Sequence, residues 1–84
     1  DIQVNIMPNP NSGSFILELN SDNNISANIR IFNSLNVLVF EINKVNINQK
    51  YSKKINLSRL SKGVYFLKIK SNEVVLVYKI IIQN

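Results

Sequence analysis

The stretch Leu57-Ser-Arg-Leu60-Ser-Lys-Gly63-Val-Tyr65-Phe-Leu67-Lys-Ile69 decides the fold. A short polar turn passes through a glycine into a segment where Tyr65, Leu67 and Ile69 share one face by period-two spacing. The same alternation recurs on both sides of it. Upstream, Phe15, Leu17 and Leu19 oppose Ile16, Glu18 and Asn20, and Ile25, Ala27, Ile29 and Ile31 oppose Ser26, Asn28 and Arg30. Downstream, residues 74–82 are the most apolar. Val74, Leu76, Tyr78, Ile80 and Ile82 lie on one side, with Val75, Val77, Ile81 and the interrupting Lys79 on the other.

Turn chemistry divides these segments. Pro8 and Pro10 lack amide donors and fix φ, so Met7–Gly13 reads as a stiff, defined turn after a first strand over 2–7. Ser21–Asn24 and Asn33–Asn36 read as further turns. A strand over 37–42 is expected to point Leu38, Phe40 and Ile42 inward, and one over 51–57 to bury Ile55 and Leu57. Residues 43–50 are dominated by polar side chains and read as an irregular edge segment or crossing loop. Seven short strands with short connections predict an all-β fold, a sandwich or barrel of mostly antiparallel strands. Two facing sheets would bury the alternating faces.

The 84 residues make a single domain, 1–84, and 45% of them are hydrophobic. There is no cysteine and no histidine, which removes disulfides, thiolate metal sites and histidine-based catalysis. The five carboxylates, Asp1, Glu18, Asp22, Glu41 and Glu73, form no recognisable pair, so acid–base catalysis has no positive support. No enzyme activity and no cofactor are expected. No run reaches the length of a membrane span, so stable membrane insertion is not expected. No leader is expected within these residues, since residue 1 begins almost directly in a strand pattern. This is the expectation for a domain excised from a larger protein. The net charge of +5 favours an anionic partner without specifying one. Three tyrosines and four phenylalanines, several on core faces, give little material for base stacking, so nucleic acid is not expected as a partner.

Four segments together resemble the C-terminal sorting domain of proteins exported by the type IX secretion system of Bacteroidetes. Pro8-Asn9-Pro10 followed by Gly13 and the strand from Phe15 looks like the family's opening motif. Ile29-Arg-Ile-Phe32 before a turn and Val37-Leu-Val39 is similar to its central hairpin. Leu57 to Lys68 resembles its most characteristic segment, and Val77-Tyr-Lys79-Ile-Ile-Ile82 its closing strand. The family usually has glycine where this chain has Asn36, a residue that also adopts the left-handed region. The resemblance implies an immunoglobulin-like β-sandwich of seven strands at the end of a larger cargo protein. It also implies recognition by an outer-membrane translocon, removal by a sortase-like peptidase, and delivery of the cargo to the cell surface or medium by way of the periplasm.

The candidate recognition residues are Pro8, Asn9, Pro10, Gly63, Tyr65 and Lys79. Each also has a plain structural reading. The Pro8–Pro10 turn can be only a rigid connection, Gly63 a backbone requirement and Tyr65 a core aromatic with its hydroxyl at the rim. Lys79 can be a solvated strand position. Val75, Val77 and Ile81 give the last strand a second apolar face, which points to a partly exposed binding surface. The alternative function is a carbohydrate- or protein-binding accessory module of a secreted enzyme. That reading calls for exposed rings, for which Phe32, Tyr51 and Tyr78 are the candidates.

Overall fold

The computed structural model describes residues 2–72 and 74–83; Asp1, Glu73 and Asn84 lie outside the described residues. Five strands follow in order: β1 (Ile2–Met7), β2 (Ser14–Asn33), β3 (Leu38–Asn56), β4 (Gly63–Ser71) and β5 (Val74–Ile82). All pair antiparallel in one sheet, in the order β1-β2-β4-β5, with β3 also on β2. The fold is all-β, as the alternation predicts.

The number of strands differs from the expected seven. The segments expected as two strands over 14–20 and from Ile25 to Ile31 are one strand, β2. Residues 37–42 and 51–57 are joined through 43–50 as β3. The reason is long-range pairing. The polar stretches at the middle of β2 and β3 lie opposite each other, with Asn20 on Lys50, Asn24 on Asn48 and Ile25 on Ile47. Backbone bonds across a ribbon do not depend on apolar side chains, so asparagine-rich sequence stays extended there. Register shifts at Asn20/Asn24 and Ala27/Ile29 mark where the ribbon bends, and Lys44 (φ 56°) and Gln49 (φ 71°) take up left-handed conformations along β3.

The bend wraps the ribbon around its own odd-numbered face. Phe15, Leu17 and Leu19 at one end of β2 and Ala27, Ile29 and Ile31 at the other are all buried in a single core, joined by Val45, Ile47 and Ile55 of β3 and by Leu57 just after it. Near one end of the ribbon, β2 lies between β1 and β3; near the other it lies between β3 and β4, with β5 beyond. The two halves close on the same core. The smallest extent of the molecule, 16 Å, accommodates two layers at the usual sheet separation of about 10 Å. This arrangement is compatible with an immunoglobulin-like sandwich.

Two expectations of burial change. Val45 and Ile47 sit in the segment expected to be irregular, yet they are core residues. Leu38, expected inward, is 44% exposed, because a register shift between Ile31 and Phe32 places it opposite Phe32 at the end of the pairing. Phe40 and Ile42, also expected inward, are half-buried against the core, while Tyr65, Leu67 and Ile69 are buried, as are Ile80 and Ile82. On β5 burial is confined to that end, since Val74 is exposed.

The central hairpin turn is held by Asn33. Its Oδ1 accepts from the amides of Leu35 and Val37, and Asn36 adopts φ 65°. Asparagine thus supplies the left-handed residue for which glycine is the common choice.

Candidate recognition surface

The sequence between β1 and β2, Pro8 to Gly13, forms a clip on the outer edge of β5. Both prolines follow cis peptide bonds. The Asn9 side chain acts as a surrogate peptide group: its Nδ2 donates to the Lys79 carbonyl (2.8 Å) and its Oδ1 accepts from the Ile81 amide (3.0 Å). Next to it, the Asn11 amide donates to the Ile81 carbonyl (3.0 Å), and Gln83 donates back to the Asn11 carbonyl (2.7 Å). A short parallel bridge between Asn11 and Ile82 results.

Asn11 shapes the clip from inside. Its side chain is buried, donates to the Pro8 carbonyl (2.9 Å) and accepts from the Gly13 amide (2.8 Å). A buried polar side chain is stable only when satisfied in this way. Gly13 then closes the loop against the turn before β4. Its carbonyl accepts from Leu57 (2.6 Å), its φ is +105°, and a Cβ there would lie 2.6 Å from Ser58 Cα. Only glycine fits both that conformation and that approach.

The turn before β4 is fixed from its two ends. Ser58 donates to Asn56 Oδ1, and Leu60 donates to the Leu57 carbonyl. The Tyr65 hydroxyl reaches back to the Ser61 carbonyl (2.6 Å) while the ring stays in the core. Gly63 has φ +154° and open space around its Cα, so its requirement is conformational alone.

The structure brings the six candidate residues to one end of the molecule. Gly63 pairs with Ile82 and Tyr65 with Ile80, while Asn9 holds Lys79 and Ile81 from the other side of β5. They do not share one role. Tyr65 is buried and acts from within. Pro8, Asn9, Pro10, Gly63 and Lys79 are exposed. The residue that sequence reasoning missed is Asn11. It is one of fifteen asparagines, and only its place between two prolines and a glycine distinguishes it.

The outer face of β4 and β5 is basic and apolar. Val75 and Val77 are each 53% exposed, and Lys68, Lys70 and Lys79 stand beside them. Lys68 Nζ lies 5.0 Å from the centroid of the Phe32 ring, a cation–π distance. Tyr51 and Tyr78 are half-buried and packed on the core. Phe32, Tyr51 and Tyr78 therefore do not stand out as free rings. Among the described residues, no group of three acidic side chains is placed to hold a metal.

In this small all-β domain the connecting loop and the last strand are tied into one surface. Comparison with known proteins finds a family: the secretion system C-terminal sorting domain family matches residues 5–83, nearly the whole chain. The chain belongs to that family, the type IX secretion sorting signals, whose members are generally non-catalytic. No curated protein matches the chain.

Proposed function

We propose that this domain is a folded export address, engaged by the outer-membrane machinery of the type IX system and then cut from its cargo by a sortase-like peptidase. The domain is the substrate of that cleavage and supplies no catalytic group. The cargo precedes it and is delivered to the cell surface or released. The observation that carries this reading is the clip. The opening motif at Pro8–Gly13 and the closing strand at Val77–Ile82 lie some seventy residues apart, yet Asn9 and Asn11 bond them into one surface. A receptor reading that surface reads the folded state, which suits a signal that must not act before folding.

The test is a periplasmically delivered reporter with this domain at its end, in a type IX-competent host. Reporter outside the outer membrane, with its mass reduced by the domain, is the expected result. A stable fusion retained in the periplasm overturns the reading and favours an accessory module. Lys79→Ala, at an exposed side chain, is expected to reduce export without lowering the melting temperature. Unchanged export returns Lys79 to a solvated strand position.

A further inference from the structure

We infer that the open edge of β5 at Val75 and Val77 accepts an extended strand of a partner protein, one that alternates apolar and acidic residues. The inference takes its biological setting from the export reading and its chemistry from β5 itself.

Backbone geometry identifies the edge. In an antiparallel pair, both backbone groups of every second residue point away from the partner strand. On β5 these are the odd-numbered residues, because the Ile81 amide and carbonyl and the Lys79 carbonyl are bonded to the clip on the side opposite β4. The clip covers the edge from Lys79 to Gln83 and stops there. The outward groups of Val75 and Val77 continue the same line without a described backbone partner.

The other open edges carry devices that discourage strand addition; on β5 the one charged residue, Lys79, lies in the stretch the clip covers, and none interrupts Val75 to Val77. β3 is interrupted by register shifts and by left-handed residues at Lys44 and Gln49, and Lys50, Lys53 and Lys54 line its second half. β1 has only six residues, with exposed Gln3 and Asn5 between its apolar ones. β5 pairs with β4 over nine consecutive positions with no register shift, and three of its valines are more than half exposed. A regular, apolar, unguarded edge is a template for an added strand.

The surroundings specify what the strand carries. Alternate side chains of an added strand would face opposite sides. On one side lies a groove of about 500 Å³ between the starts of β1 and β5, where Ile2, Ile25, Val74 and Leu76 form an apolar floor for apolar side chains and polar residues such as Asn23 and Asn72 complete the lining. On the other side lie Lys68, Lys70 and Lys79, none of them in an ion pair with a described carboxylate. That face takes acidic side chains. The same lysines, with a net charge of +5, disfavour a second copy of this chain as the occupant.

The test uses the full chain and two synthetic peptides, one alternating valine with glutamate and one alternating valine with lysine. Amide exchange is followed residue by residue. The glutamate peptide is expected to slow exchange at Val75 and Val77 by about tenfold or more, as edge amides become bonded. The lysine peptide should do so weakly or not at all. Lys79→Glu, an exposed change that leaves the ladder intact, should weaken the glutamate peptide by about tenfold and strengthen the lysine one. Val77→Pro removes only an outward amide, so it should abolish binding with little change in melting temperature. Protection confined to β1 or β3, no protection at Val75 and Val77, or equal binding of both peptides overturns the inference. In the reporter assay, a Val77→Pro fusion exported like the wild type counts against the edge while leaving the export reading intact. Failure of the wild-type fusion counts against the export reading alone, because the peptide measurement decides the edge independently.

Discussion

Replacing Gly13 with alanine tests whether the clip is built on a true steric contact. The new Cβ would stand 2.6 Å from Ser58 Cα, 2.9 Å from Ser58 N and 3.0 Å from the Leu57 carbonyl carbon. All three are backbone atoms, so no flexible side chain can move aside. The φ of +105° adds a conformational cost of about 1–3 kcal/mol for any L-residue with a side chain. Overpacking against the neighbouring backbone adds about 1–3 kcal/mol more. A domain of this length has a stability of about 4–13 kcal/mol, so the combined loss is a large share of it. The assay is thermal unfolding followed by circular dichroism. At about 4–8 °C per kcal/mol, the midpoint should fall by about 10 °C or more, or the variant should not fold. Gly63→Ala is the control. With φ +154°, which L side chains rarely adopt, but no atom within 4 Å of the new Cβ, it should carry the conformational cost alone, about 1–3 kcal/mol. Equal midpoints for the two variants, or a fall of less than about 4 °C for Gly13→Ala, would refute the reasoning.

Further outcomes follow from neighbouring residues. Tyr65→Ala removes a buried ring and should cost about 3–5 kcal/mol, whereas Tyr65→Phe loses only the bond to Ser61 and should cost about 1 kcal/mol, both read by denaturant unfolding. Asn11→Ala removes a buried side chain that bonds the Pro8 carbonyl and the Gly13 amide, and should cost about 2–3 kcal/mol, more than the exposed Asn9→Ala at about 1 kcal/mol. Asn36→Gly should change stability by less than about 0.5 kcal/mol, since φ 65° suits both residues, while Asn36→Ala should cost about 1 kcal/mol.

The core was legible in the sequence because burial on a strand has period two. The triads Phe15, Leu17, Leu19 and Tyr65, Leu67, Ile69 state their inward faces directly, and the structure buries them. Continuity of β2 and β3 was not legible. Whether an asparagine-rich run turns or stays extended depends on what lies opposite, and pairings such as Asn24 with Asn48 join residues far apart in the chain. The face of Leu38 was hidden for the same reason, since one register shift at the end of a ladder decides it. At the candidate surface, the glycines and prolines announced the loop and the turn. The amide bonds that tie the loop to β5 carry no local pattern. Asn9 and Asn11 look alike in sequence, yet one caps an exposed edge and the other is buried.

The export reading is tested most directly by comparing one reporter fusion in two strains, a type IX-competent host and the same host without its outer-membrane translocon. The quantity measured is the fraction of reporter outside the outer membrane. The predicted result is reporter at the surface or in the medium of the competent strain and intact fusion held in the periplasm of the other. The same distribution in both strains would contradict it.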